Sequence, residues 1–335
     1  MKKRFLSIIL ILAMIFNLLP SLAIQSAVLA AGDDITIIST ADELIELANA
    51  SWGEQQELWA KTYELAGDID MKEATITGKS MKPIGSSSRP FTGTFDGKGY
   101  VIKNLEFEFT STGGGLFNTI SADGMIKNLG IEDARLRLGT HSGILAGENK
   151  GIIENCFVVD SILTSTSNTV GGLVGVNNGT VEKSFADNCI VKSEDSYSTT
   201  TGGLVGSNEK IGSIKQSYAS ATIEAKKWIG GLVGQNHGSV ENSYAFGIIR
   251  GTEQIGGLVG RSDSGSSTVN SYANVDVFPT ISGSGFIGGL NYSGGTAVNC
   301  FYNSERQLPT ESSTDVSGVT EKTSTELKSD DILAI

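Results

Sequence analysis

The side chains able to do chemistry are few and regularly spaced. Glu154, Glu182 and Glu241 recur at one position of a repeating motif, and paired carboxylates on one face are what acid–base cleavage of a polysaccharide requires. A column of like carboxylates is, however, the pattern of a solvated edge rather than of two acids with separated pKa values. The 335 residues include two histidines, His141 and His237. His237 stands in a turn where other copies carry Asn or Lys, so it reads as a turn residue and not as a base. Cys156, Cys189 and Cys300 are odd in number and far apart, which argues against a disulfide framework, and they lack metal-ligand spacing with histidine. No HExxH helix, phosphate-binding loop or nucleophile elbow occurs. The expectation is therefore no enzyme, no cofactor and no metal.

What remains is a recognition feature. The tripeptides NCF 155–157, KSF 183–185, QSY 216–218, NSY 242–244, NSY 270–272 and NCF 299–301 place an aromatic ring at a fixed point of each copy: Phe157, Phe185, Tyr218, Tyr244, Tyr272 and Phe301. Exposed, such a row would stack sugar rings or a partner's apolar side chains. Covered by the intervening segments 159–170, 187–201 and 219–228, read as loops, it would serve only to stabilise the fold.

The elements that must position this row follow from a second motif. GGLVG occurs at 171–175, 202–206, 230–234 and 256–260, with GILAG at 143–147 and degenerate copies at 114–117 and 288–291. Its leucines, Leu116, Leu145, Leu173, Leu204, Leu232, Leu258 and Leu290, lie 29, 28, 31, 28, 26 and 32 residues apart. A unit of that length, made of short strands and polar turns, has no room for a long helix and cannot bury its own apolar face, but stacked copies can. The fold class predicted is all-β, a single right-handed parallel β-helix of about eight coils over residues 35–302.

Register follows from period two. The segments 102–107 and 126–131 read as diverged copies of the aromatic motif, aligned on Asn104 and Asn128. Leu129, Cys156, Ser184, Ser217, Ser243, Ser271 and Cys300 then form one inward column, with Leu105 assigned to it. Ile131, Val158, Ala186, Ala219, Ala245 and Ala273 form another, with Phe107. The aromatic column between them points outward, with Glu106 and Gly130 at its start. The chain must bend at the asparagine, and Asn104, Asn128, Asn155, Asn242, Asn270 and Asn299 are expected to hydrogen-bond along the axis, interrupted by Lys183 and Gln216.

The ends differ in kind. Lys2, Lys3 and Arg4 precede an apolar run and then Val28-Leu29-Ala30, which predicts a signal peptide over 1–30 and export. Residues 31–110 read as an N-terminal cap with the opening coils, 111–302 as the repeat β-helix and 303–335 as a polar Ser/Thr-rich tail. Thr40-Ala41-Asp42-Glu43 is a capping box that predicts a short helix at 41–50, and a weak helix is expected at 324–334. Leu308-Pro309-Thr310-Glu311-Ser312 departs from a sortase signal. The net charge of −12 falls to about −15 without the first 30 residues, which argues against nucleic acid and anionic lipid as partners.

The residues Gly230-Gly231-Leu232-Val233-Gly234-Gln235-Asn236, followed by Gly238-Ser239-Val240-Glu241-Asn242-Ser243-Tyr244-Ala245, resemble the GLUG repeat of bacterial secreted and cell-surface proteins, some of them adhesins. Related repeats lie in the N-terminal part of immunoglobulin-A-cleaving metallopeptidases. The resemblance spans about residues 35–302, implies a scaffold, and carries over no catalytic residue. It implies a secreted or cell-surface monomer, not inserted in a membrane once the signal is cleaved. Its expected role is adhesion or binding of a glycan or of a surface protein on a host or neighbouring cell. The alternatives are an inert spacer within a larger surface protein and, a distant third, a polysaccharide-degrading β-helix.

Overall fold

A repeat of about 28 residues with strands of three or four satisfies its backbone N–H and C=O groups by pairing each strand with its counterpart one repeat away. The computed structural model, which describes residues 35–76, 80–110, 113–166, 168–195, 199–279, 283–284, 295–306 and 317–326, has this architecture. The signal segment 1–30, the degenerate repeat copy around Leu290, the 308–312 segment and most of the helix expected at 324–334 lie outside the described residues.

The strands form four sheets. The first has ten strands in line, from Ile35–Ile38 and Thr62–Leu65 to Thr296–Val298. The second has thirteen, including Phe185–Ser193, Tyr218–Glu224, Tyr244–Gly251 and Tyr272–Pro279. Two six-stranded sheets hold the GGLVG motif, one running from Ser142–Gly143 to Gly283–Ser284 and the other from Phe117–Ile120 to Val259–Ser262. Pairing is parallel in all four. Ten rungs with nine rises of about 4.8 Å give a body about 43 Å long. The count is slightly above the about eight coils expected over residues 35–302, with Ile35–Ile38 and Thr62–Leu65 of the opening coils already pairing as rungs. At the other end Val319–Lys322, assigned to the tail, pairs with Cys300–Asn303 as a further rung.

The helix Ala41–Ala48 begins at the predicted capping box: Glu43 N–H donates to Thr40 Oγ1 (3.3 Å), and Thr40 N–H donates to Glu43 Oε2 (3.0 Å). It buries Leu44, Ile45 and Leu47 over the end of the core.

Each GGLVG leucine among the described residues is buried, as are the Ile131, Val158, Ala186, Ala219, Ala245 and Ala273 column and the Leu129 to Cys300 column. The glycines mark where backbones meet. A Cβ at Gly202 would stand 2.0 Å from the carbonyl oxygen of Val205, and one at Gly203 would stand 2.1 Å from that of Gly231 on the next coil, so no side chain fits.

The bends fall where expected, with a stereochemical cause: Asn128, Asn155, Lys183, Gln216, Asn242, Asn270 and Asn299 all have φ between +47° and +58°. Asparagine tolerates this left-handed region better than other L-residues. The axial bonds are present, Asn155 Nδ2 donating to Asn128 Oδ1 (3.1 Å), Asn270 to Asn242 (3.1 Å) and Asn299 to Asn270 (2.9 Å). Lys183 and Gln216 interrupt them.

The alignment of 102–107 with 126–131 is corrected. Ile102 pairs with Ile131, and Glu106 with Arg135, so Asn104 stacks not with Asn128 but in register with Asp133. Asn104, Asp133, Asp160 and Asn188 form a second left-handed corner, with φ between +51° and +57°. Leu105 and Phe107 are inward, but in the columns of this second corner. Both corners demand the same local sequence, an apolar residue, a bend residue and another apolar residue, so the motif alone cannot tell them apart.

Two inward polar ladders brace the core. Asn149, Asn177, Asn208 and Asn236 of the motif G-x-N are fully buried and pass side-chain bonds of 2.8, 2.9 and 2.8 Å from coil to coil. Ser184, Ser217, Ser243 and Ser271 accept from the backbone N–H one coil below at 3.1–3.2 Å. Each of these hydroxyls also donates to the carbonyl two residues earlier in its own chain.

Asn208→Ala removes one of the acceptors of Asn177 Nδ2 and one of the donors to Asn236 Oδ1, together with the bonds Asn208 Nδ2 makes to Gly212 O and Ser239 O, all in the buried core. Urea unfolding is expected to show a loss of about 3 kcal/mol or more, against about 0.5 kcal/mol or less for the turn substitution Asn178→Ala. The three cysteines are free and buried, and burial pushes the thiols of Cys156 and Cys189 up to about 12. Thiol titration of denatured, unreduced protein should count three groups, and native protein at neutral pH should react with none; a count of one would reveal a bridge.

Candidate functional site

The aromatic column is in register throughout: Phe157 pairs with Phe185, Phe185 with Tyr218, Tyr218 with Tyr244, Tyr244 with Tyr272 and Tyr272 with Phe301. Alternation forces the six side chains outward, because the residue before each, and the residue after each from Phe157 to Tyr272, is buried in the columns above.

The rings lie face to face. Phe157 and Phe185 have centroids 5.2 Å apart at 8°, Phe185 and Tyr218 4.7 Å at 8°, Tyr218 and Tyr244 4.9 Å at 8°, and Tyr244 and Tyr272 5.1 Å at 14°. The first ring lies over Gly130, where an added Cβ would fall 2.4 Å from the Phe157 ring. Phe246 closes the side, edge-on to Tyr244 (5.3 Å) and Tyr272 (5.7 Å). The Lys322 ammonium sits 5.9 Å from the Phe301 centroid.

This geometry separates the two readings of the row. A sugar-stacking platform needs exposed ring faces, and between Phe157 and Tyr272 the facing ring surfaces are taken by neighbouring rings, leaving edges and hydroxyls to solvent. All six side chains are half-buried. The cover differs from that expected. Segments 159–170, 187–201 and 219–228, read as loops, are largely strand: Ile162–Ser165, the second half of Phe185–Ser193, and the remainder of Tyr218–Glu224 extend the second sheet sideways. The outward-pointing Ile190, Thr222 and Ile248 continue that face. Burial raises the phenol pKa of Tyr272 to about 12. It raises those of Tyr218 and Tyr244 as well, with Asp187 adding to both and Tyr272 to Tyr244.

The carboxylate column is interleaved with lysines. Glu154, Glu182 and Glu241 stand in line with Lys127 and Lys215, and Lys183 reaches both Glu154 (3.7 Å) and Glu182 (3.5 Å). His237 lies in a turn beside Asp263 (3.4 Å), which also takes Arg261 at 2.7 Å. No cluster of three or more potential metal ligands occurs among the described residues, and no described helix is long and apolar enough to cross a membrane. Trp52, exposed in the polar stretch Ser51-Trp52-Gly53-Glu54, escaped the repeat-based reading because it lies outside every repeat; its one signal was a large apolar ring among polar neighbours.

Parallel coils, glycine corners and axial ladders together define a β-solenoid built of short repeats. Two of its repeats match the model of the GLUG motif, at residues 197–224 and 229–250. The chain is 30% identical over 210 residues to the immunoglobulin A1 protease of Streptococcus sanguinis, covering 52% of this chain and 11% of that protein. It is 34% identical over 122 residues to halomucin of Haloquadratum walsbyi, covering 35% of this chain and 1% of that protein. Thus it spans about a tenth or less of the length of these relatives. Among solved structures, an IgA1 protease matches with a TM-score of 0.61 at 19% identity, over 86% of this chain and 23% of that one. A Bacteroides ovatus protein described as an immunoglobulin A1 protease matches with a TM-score of 0.57 at 22% identity, over 89% and 86%. These two likenesses establish the fold.

Replacing Tyr218, Tyr244 and Tyr272 together by Ser should destabilise the protein by about 3 kcal/mol or more in urea, since stacking and side-chain burial are lost at three rungs. A loss below about 1 kcal/mol would mark the row as an exposed platform. The raised phenols also predict alkaline sensitivity. The unfolded chain ionises near pH ~10 while the native row keeps its protons, so this contribution is intact below ~10 and is lost as pH climbs toward the native values. Ultraviolet difference spectra should show these tyrosines ionising together with unfolding; ionisation of all of them near pH 10 in folded protein would contradict the stack.

Proposed function

We propose that the chain is a non-catalytic, rigid spacer of an exported or cell-surface protein, carrying other parts of that protein away from its anchor. The observation that supports this most directly is the aromatic stack. The largest recognition feature in the repeats spends its ring faces on neighbouring rungs, and so stiffens the rod rather than meeting a ligand. The relatives support the exported setting: an immunoglobulin A1 protease and halomucin each include a matching region as a small part of a much longer chain. Adhesion through the second sheet is the competing reading, favoured by the half-open edges of the six rings and the aliphatic face beside them.

A spacer tolerates changes in coil number. Deleting residues 204–231, one repeat from Leu204 to the residue before Leu232, should leave a cooperatively melting protein shortened by about 4.8 Å, as read by small-angle scattering. Displayed on cells between an anchor and a reporter domain, the full array should improve antibody access to the reporter in proportion to coils present. Saturable binding of the chain to cells or to a glycan library, lost in the triple tyrosine variant under conditions where that variant is folded, would replace the spacer by the adhesin.

A further inference from the structure

Outside the repeats, three segments distant in sequence enclose a pocket at the capped end. They are the stretch from the helix Ala41–Ala48 through Trp59, the 80–90 segment, and the ends of the strands Glu106–Phe109 and Phe117–Ile120. The pocket has a volume of about 290 Å³, at the lower bound for small-molecule sites and suited to one ring-sized unit. Its floor is fixed by Trp59, buried and anchored by Nε1–H donating to Leu47 O (3.2 Å). Trp52 rises at the rim with 66% of its surface exposed. One side of its ring is covered by the Arg89 guanidinium, 3.6 Å from the centroid, and Arg89 also donates to the Trp52 carbonyl. The indole is thus held in place yet open to a ligand.

The polar lining is selective in what it leaves available. Asn49 Nδ2 is used on Ile45 O (3.0 Å) and Ser80 O (3.2 Å), and Gln55 Nε2 on Ala50 O (3.0 Å). Asn49, with both N–H groups used, presents its carbonyl oxygen, and Gln55 presents its carbonyl oxygen and one remaining N–H; the oxygens accept from hydroxyl groups. The charged side chain lining the pocket is Lys82, which meets no carboxylate among the described residues, while Arg89 is held against Trp52.

We propose that this pocket binds a carboxylated sugar unit, such as a uronic or sialic acid residue of an acidic glycan. The C–H face of the ring packs on the open face of the Trp52 indole, the hydroxyls donate to Asn49 and Gln55, and the carboxylate lies toward Lys82. A neutral sugar leaves Lys82 unanswered, and a bare anion leaves the indole and the amide oxygens unused. The site is independent of the aromatic stack and stands whether the solenoid serves as spacer or as adhesin.

The test is titration of the full chain with glucuronic acid and N-acetylneuraminic acid, followed by calorimetry and tryptophan fluorescence, with galactose, acetate and inorganic phosphate as comparators. At least one acidic sugar should bind saturably with a Kd of about 1 mM, weakening as salt rises. Trp52→Ala, at an exposed position that leaves folding intact, should weaken binding about tenfold or more, and Lys82→Gln several-fold. Tyr244→Ser, in the remote stack, should leave binding unchanged wherever circular dichroism shows it folded. Galactose binding as tightly as the acids, or an unchanged Kd in Lys82→Gln, would remove the charge recognition on which the proposal rests. Acetate or phosphate displacing the sugar at equal concentration would reduce the site to an anion contact, and absence of saturable binding to either acid would end it.

Discussion

Parallel, in-register stacking sets each side chain directly over its counterpart one coil away, about 4.8 Å along the axis, and the rest of the structure depends on this constraint. A residue type survives in a column only if it tolerates a copy of itself or an answering partner at that distance. Apolar columns satisfy it by packing. Asparagine satisfies it because an amide both donates and accepts, so that Asn149, Asn177, Asn208 and Asn236 relay one bond each through the core. Aromatic rings satisfy it by stacking at 4.7–5.2 Å.

Charge is the case that stacking punishes, and the outer column of the first sheet shows the remedy. Asp96 is followed by Lys127 and then Glu154, and Glu182 by Lys215 and then Glu241. Two acids fall together twice: at Glu64 and Asp96, where Lys98 and Lys127 answer one each, and at Glu154 and Glu182, where the side chain of Lys183 lies across both. That lysine stands at a bend where asparagine is otherwise used, with φ of +49°. The interruption of the asparagine ladder is therefore the same event as the neutralisation of the carboxylate pair. Such ion pairs are exposed and contribute little stability, but they prevent the repulsion that an unbroken acidic column would impose.

The same constraint bears on function. A stack that consumes ring faces makes a stiff, regular wall, and repetition leaves little scope for a unique constellation of side chains. The features free of the repeat are at the capped end, where the helix Ala41–Ala48 and the 80–90 segment need not match a neighbour above or below. There Trp52, Lys82 and Arg89 come together, which no coil-to-coil register would allow.

Sequence alone determined the repeat length, the parallel solenoid, the capping box at Thr40 and the outward facing of Phe157, Phe185, Tyr218, Tyr244, Tyr272 and Phe301, because each follows from local period or recurrent spacing. It also placed the bends at the asparagines. Tertiary structure decided what spacing cannot encode. Whether Asn104 aligned with Asn128 or with Asp133 depended on which strands pair across coils, since both corners share one local pattern. Whether the aromatic row was platform or stack depended on ring orientation and on the neighbours Gly130 and Phe246, which contact it only through inter-coil packing. The segments read as loops became strand because a neighbouring coil supplied hydrogen-bond partners. The Trp52 pocket was invisible for the most direct reason: its walls come from three segments that meet only in the folded chain.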